Sequence, residues 1–329
     1  HTEHRMQLKD PFTMKSKQFS HFCVAIGPCA IFCMLAATAF AADTPALDDL
    51  VSPDAQAEVL GTGYGFCEGP ASDADGNIYF SDGKKNTIHY YETGKPVAVF
   101  VDDSLDANGM MFNANGELLV CEGAAHHIVA FDTKTKEKHE LAGSIDGTHF
   151  NEPNDLTIDA QGGFYFTDPN YKHRGEEAVM KEDVYYVSPK GDVSRVSTVC
   201  LKPNGIILTP DNKTLYLADC NAKKIYKYDV TAPGKLENET LWIDDVGANP
   251  DGMTLDSLGN LYIGGGGNGV RIFSPEGKFI GAIGKDRGIN YASNVVFGGP
   301  DFKTLYITAS NNFLAIPMKV EGIKPLCKK

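Results

Sequence analysis

One phrase recurs six times along this chain, and it restricts the fold more than any other feature. A turn runs into an apolar, aromatic-rich strand in Gly76-Asn-Ile-Tyr-Phe-Ser-Asp82, Gly116-Glu-Leu-Leu-Val-Cys-Glu122, Gly162-Gly-Phe-Tyr-Phe-Thr-Asp168, Lys213-Thr-Leu-Tyr-Leu-Ala-Asp219, Gly259-Asn-Leu-Tyr-Ile-Gly-Gly265 and Lys303-Thr-Leu-Tyr-Ile-Thr-Ala309. Each copy occupies the same place in a unit of roughly 40 to 50 residues, the period at which supersecondary units bury their apolar faces against one another. Asp/Asn/Gly turns such as Asp73-Ala-Asp-Gly76 and Asn113-Ala-Asn-Gly116 separate short strands within each unit. No stretch beyond the first 41 residues holds a 3.6-residue apolar period long enough for a helix. The expectation is an all-β chain, a six-bladed β-propeller with four-stranded antiparallel blades around a central metal channel. The last unit, from about Ser293 to Lys319, supplies three strands, and Ala57-Glu-Val-Leu60 is expected to join it as the fourth and close the ring.

A second recurrent phrase lies upstream of the first and places one carboxylate or amide per unit: Glu68, Asn108, Asn154, Asn204, Asp251 and Asn294. At the start of the innermost strand of each blade, these side chains would converge on the central channel. Singly, Asn-Gly, Asp-Gly and Glu-Gly are turn formers. Six oxygen-bearing side chains in register, with no Ser, Gly, Lys or Thr substituted, point beyond a turn. With no His or Cys among them, the set suits a hard divalent cation, and Glu68 and Asp251 match its charge.

The remaining sequence bounds the setting. His1 precedes Met6 and Met14; Met14 is read as the start, followed by a basic Lys15-Ser-Lys17, an apolar run from Phe22 to Phe40 and a small-residue processing site at Ala39-Phe-Ala41. Residues 1–41 are thus expected to be an extension plus a cleaved secretory signal, leaving 42–329 as one domain without stable membrane insertion, in the periplasm or secreted. The formal net charge of −13 disfavours nucleic acid and anionic membrane as partners. The five cysteines that would survive removal of residues 1–41, Cys67, Cys121, Cys200, Cys220 and Cys327, are scattered and odd in number, neither a disulfide framework nor a zinc-thiolate spacing; Cys200 and Cys220 are candidates to pair in an oxidising compartment. No Gly-x-Ser-x-Gly elbow is present. His126 and His127 read as exposed hairpin residues.

These phrases, in their order and spacing, resemble the senescence-marker-protein (regucalcin) and gluconolactonase family over nearly all of residues 42–329. The matching pieces are Glu68-Gly-Pro70, Asn151-Glu-Pro-Asn-Asp155, Phe164-Tyr-Phe-Thr-Asp-Pro169, Pro203-Asn-Gly205, Pro250-Asp-Gly252 and Phe297-Gly-Gly299. Phe-Thr-Asp-Pro and Phe-Gly-Gly place the chain nearer the bacterial gluconolactonase branch. The resemblance implies one catalytic divalent metal, usually Ca²⁺ and at times Zn²⁺, Mg²⁺ or Mn²⁺, held by the positions matching Glu68, Asn154, Asn204 and Asp251. It also implies Asp251 as general base and Asn108 as a substrate contact. Asn294 has no assigned place in that metal set. His149, where bacterial members often carry a basic residue, and Arg174, from a polar insertion in the longest unit, are the further candidates for orienting substrate hydroxyls.

The implied activity is metal-dependent hydrolysis of a small cyclic ester, a sugar lactone first. The alternatives are a phosphotriesterase or arylesterase on the same metal site, and a non-catalytic ligand-binding propeller with a structural ion.

Overall fold

The computed structural model describes residues 44–173 and 175–327. The leader expected over residues 1–41 and the candidate Arg174 therefore lie outside the described residues. No helix among the described residues is long and apolar enough to cross a membrane.

The recurrent phrase forms the second strand of each unit, and its composition follows from being buried on both faces. Along Leu118–Glu122, Leu118 and Val120 pack toward the first unit, while Leu119 and Cys121 pack toward the third. Along Thr214–Asp219, Leu215 and Leu217 face the third unit, and Tyr216 and Ala218 the fifth. Side chains that alternate between two apolar partners leave no polar face, so the strand reads as a continuous apolar run. Burying one such Leu, Ile or Phe side chain contributes about 1.5–3 kcal/mol.

The turn before the phrase is equally local. Asp73 Oδ1 accepts the N–H groups of Asp75 and Asn77, both at 2.9 Å, and Asn113, Asp159 and Asp256 repeat the arrangement. The fourth residue of each turn has φ near +83° (Gly76, Gly116, Gly259) or +91° (Gly162), where glycine carries no Cβ penalty.

Four sheets are antiparallel, four-stranded and ordered as in the chain. They comprise Ala107–Phe112, Leu118–Glu122, His127–Phe131 and Lys138–Ala142; Leu156–Ile158, Phe164–Thr167, Val184–Val187 and Val193–Ser197; Pro203–Leu208, Thr214–Asp219, Lys224–Ala232 and Lys235–Ile243; and Met253–Leu255, Leu261–Gly264, Val270–Phe273 and Phe279–Ile283. The fifth sheet has six strands, in the order Asn294–Gly298, Thr304–Pro317, Glu58–Ser72, Ile78–Asp82, Thr87–Tyr91 and Ala98–Val101. Apart from the two-stranded hairpin of Ser144–Ile145 and Thr148–His149, the described residues thus form five blade sheets rather than six separate ones, because one strand serves two units. Glu58 pairs with Ala315 and Val59 with Leu314, joining the last unit as expected, and the same strand continues until Ser72 pairs with Ile78 in the first.

Six apolar clusters lie between successive units. The cluster containing Tyr306 and Phe313 with Ile78 and Phe80 joins the last unit to the first. The fold is therefore a closed, radially repeated all-β propeller with antiparallel four-stranded blades. At the downstream ends of the inner strands, the carboxy-terminal segment crosses the channel. Ile323 packs on the fourth and fifth units, Leu326 on the second and third and Cys327 on the first and second. Ile323–Leu326 also bound a cavity of about 140 Å³ there, lined by Met110, Ile207 and Met253.

Candidate active site

The carboxylate ending the phrase holds the upstream loop that delivers the axial residue of its own unit. Asp82 accepts the N–H groups of Gly65 (2.8 Å) and Phe66 (3.0 Å), just ahead of Glu68. Asp168 accepts that of Asn151 (2.8 Å), ahead of Asn154, and Asp219 those of Leu201 (2.7 Å) and Lys202 (3.2 Å), ahead of Asn204. All three carboxylates are fully buried. Burial raises the pKa of Asp168 well above the ordinary value, against the N–H groups of Asn151 and Glu152. In the second unit Glu122 instead takes Lys138 Nζ (2.7 Å) and His127 Nε2 (2.7 Å). His127 is consequently half-buried rather than an exposed hairpin residue, and its pKa is raised, first by that hydrogen bond. His126 is also half-buried, packed against His149 with ring centroids 4.3 Å apart and planes tilted by 41°.

The six axial residues form one ring, in chain order. A Cβ on Gly69 would lie 1.9 Å from the Asn108 carbonyl oxygen, so Glu68 and Asn108 are next to one another. Gly109 donates its N–H to the Asn154 carbonyl at 2.7 Å. Asp155 accepts the N–H of Ile206, bringing Asn154 and Asn204 together. A Cβ on Gly205 would fall 2.2 Å from the Asp251 carbonyl oxygen, and one on Gly252 1.8 Å from Asn294 Cγ. Asn294 hydrogen-bonds the Glu68 carboxylate, and Ser293 Oγ donates to the Cys67 carbonyl at 2.8 Å, which closes the ring. Asn294, without a role from the sequence, is thus the partner of Glu68. Glycine after four of the six axial residues is what permits this approach.

The ring is electrostatically short of positive charge. Burial, with Asp251 facing it, holds the Glu68 carboxyl well above the usual range, partly offset by the Gly69 N–H at 3.1 Å. Burial raises Asp251 to about 7, against hydrogen bonds from the Asn204 side chain and the Gly252 N–H. Asp155, immediately after Asn154, is likewise raised to about 7 by burial. Neither Glu68 nor Asp251 has a Lys or Arg partner among the described residues. One buried and one half-buried carboxylate, with amide oxygens beside them and no Lys or Arg partner among the described residues, match the donor set of a hard divalent ion. Among the described residues no three His, Cys, Asp or Glu side chains form a metal-binding group. The candidate set differs in drawing half of its ligands from asparagine.

Residues outside the axial phrase complete the mouth. Tyr171 accepts a hydrogen bond from Asn204 Nδ2 at 2.8 Å and lies beside Asp251 and Cys220. Tyr291 lies near Asp251 and Glu68, with its ring 6.1 Å from that of Phe66. Burial raises both phenols, Tyr291 to about 12, so both stay protonated near neutral pH. Cys220 and Cys200 are free thiols. Sequence reasoning passed over Tyr171, Tyr291 and Cys220 because they lie outside the axial phrase. The available signal was position: Cys220 directly follows a phrase, and Tyr291 precedes Asn294 by three residues.

The substrate candidates separate. Asn108 is half-buried in the ring, its carbonyl accepting from Ser81 Oγ at 3.1 Å. His149 is exposed on the hairpin of Ser144–Ile145 and Thr148–His149 and lines a side cavity of about 260 Å³ with His126, Asn151, Glu152, Asn170 and Glu176.

Comparison with known proteins gives the family and the fold. Residues 66–311 match the family model described as the SMP-30/Gluconolactonase/LRE-like region. A gluconolactonase of Zymomonas mobilis is 29% identical over 308 aligned residues, covering 85% of this chain and 86% of its own. The solved structure of a gluconolactonase from Xanthomonas campestris superposes with a TM-score of 0.76 at 26% identity, covering 83% of this chain and 92% of its own. A calcium-binding regucalcin from Agrobacterium tumefaciens, at 19% identity, shares the fold with a TM-score of 0.69, covering 82% and 96%. The chain belongs to the SMP-30/gluconolactonase/LRE-like family.

Proposed function

We propose that this chain is a lactonase that hydrolyses a small cyclic ester, a sugar lactone in particular, at the axial ring of a six-bladed propeller. The six-blade count draws on the six repeat units and the six apolar clusters between them, with the six-stranded sheet taken as two blades joined by one strand. The observation that carries the reading is the pair Glu68, buried, and Asp251, half-buried, both raised in pKa and without a Lys or Arg partner among the described residues, within a ring of amides. Family membership and the gluconolactonase relatives support the reaction class.

Glu68, Asn154, Asn204 and Asp251 are the residues that would hold one divalent ion, with Ca²⁺ preferred by an all-oxygen donor set. Bound there, the ion supplies Lewis-acid polarisation of the lactone carbonyl and charge stabilisation for the oxyanion. Asp251 accepts a proton from water as the water oxygen bonds to the carbonyl carbon. The ring C–O ester bond then breaks, and Asp251 returns the proton to the departing alkoxide. Asn108 supplies an amide for substrate hydroxyls, and the protonated Tyr291 remains available as an O–H group at the mouth. Arg174 keeps its proposed role in orienting substrate from the insertion, and export behind a cleaved 1–41 leader belongs to the same reading.

The test is a substrate panel on Ca²⁺-loaded protein: D-glucono-1,5-lactone, an aryl ester and a phosphotriester. Sugar-lactone turnover exceeding the other two supports the proposal. Preference for the aryl or phosphate ester overturns the substrate class, and ion uptake without turnover on any of the three favours a binding module.

A further inference from the structure

A ligating asparagine must present its oxygen, and its two ends are nearly the same shape. Something has to choose between them. At Asn204 the surroundings do so. Nδ2 donates to Tyr171 Oη at 2.8 Å, and the same amide donates to the Asp251 carboxylate. The Tyr171 hydroxyl accepts through its oxygen and lies beside the Cys220 thiol group. Asn204 therefore donates to Tyr171 on one side and to Asp251 on the other. Both amide N–H groups are engaged, which leaves Oδ1 as the ligating atom.

Tyr171 is itself held firmly, although it lies outside any strand. The buried Glu152 takes the N–H of Tyr171 on one carboxylate oxygen (2.8 Å) and that of His173 on the other (3.0 Å). The ring stacks on His173 with centroids 5.7 Å apart, and Lys202 Nζ lies 5.2 Å from its centroid. Lys202 Nζ in turn donates to the Asn170 carbonyl at 2.9 Å and pairs with Glu182, anchoring the residue before Tyr171.

We propose that Tyr171 is a positioning residue whose hydroxyl, by accepting from Asn204 Nδ2, fixes the Asn204 amide with its oxygen toward the ion. This rests on the metal reading of the axial ring and adds to it a residue from the insertion of the longest unit. It predicts that ion affinity depends on one phenolic oxygen that does not itself ligate. Outer partners of metal ligands typically change affinity by about 10–100-fold when removed.

The experiment is calorimetric titration of chelated full-length protein with Ca²⁺, comparing wild type with Tyr171→Phe. The variant keeps the ring between His173 and Lys202, and thermal unfolding without ion confirms that it folds. The expected result is Ca²⁺ affinity about tenfold weaker. In an Asn204→Asp background the same Tyr171→Phe change is expected to alter affinity less than about twofold, because a carboxylate has an oxygen at either end and needs no orienting. A merely structural Tyr171 would weaken both backgrounds alike. Wild type that binds with Tyr171→Phe unchanged overturns this inference alone. Wild type that takes up no divalent ion overturns the metal reading and this inference with it.

Discussion

The Asp219 carboxylate accepts the backbone N–H of Leu201 at 2.7 Å, fixing the loop three residues before the axial Asn204. The same carboxylate also takes the N–H groups of Lys202 and Ala222, at 3.2 and 3.1 Å. Asp219→Ala leaves these donors without their acceptor, with an expected loss of about 3 kcal/mol. In urea unfolding the variant should show a lower midpoint with an unchanged slope. Because the loop delivers Asn204, Ca²⁺ uptake should weaken as well. An equally stable variant with normal uptake would remove the clamp from the account.

The close approach around the axis gives a second prediction. A Cβ at position 205 would stand 2.2 Å from the Asp251 carbonyl oxygen, a backbone atom that cannot swing aside. Gly205→Ala should therefore destabilise by about 1–3 kcal/mol and disturb the ring. Gly267→Ala, where a Cβ meets nothing within 4 Å, is the matched control and should unfold as wild type does. Thermal unfolding of the two variants side by side checks this.

The folded pKa of Asp251 is raised to about 7 from an ordinary 3.8. Between these values the folded protein keeps a proton that the unfolded chain has released. Its contribution to stability is whole below the lower value and is lost as pH climbs through about 7. The ion-free melting temperature should accordingly fall between pH 5 and pH 8. Asp251→Asn, which carries no charge to desolvate, should flatten that fall. Saturating Ca²⁺ should raise the wild-type melting temperature most at the alkaline end, because the ion binds the carboxylates in their charged form. A wild type and variant with parallel pH profiles would contradict this.

Much of the fold was legible because each unit is locally consistent. The Tyr-centred apolar phrase, buried on both faces, and the Asp/Asn turn before it required no long-range information. Closure by Ala57–Leu60 was legible too, since the last unit lacked one strand. The merging of first and last units into a six-stranded sheet was not, because nothing in Glu58–Ser72 announces that one continuous strand will serve both. At the site, the register of Glu68, Asn108, Asn154, Asn204, Asp251 and Asn294 was visible as spacing, and the structure brings all six into the ring. Tyr171 and Tyr291 were hidden because non-periodic segments place them, and the contacts that fix Tyr171, Glu152 and Lys202, are visible only once the chain is folded. His149, read as a mouth residue, lines a cavity with His126 and with Glu152, the carboxylate that holds Tyr171.

The most direct measurement of the central claim is proton release during D-glucono-1,5-lactone hydrolysis by chelated protein, by the same protein with Ca²⁺ restored, and by Asp251→Ala with Ca²⁺ present. The account predicts turnover only in the restored wild type, with the variant reduced by at least about a hundredfold, the scale of a lost general base. Undiminished turnover by the chelated protein, or by Asp251→Ala, would contradict it.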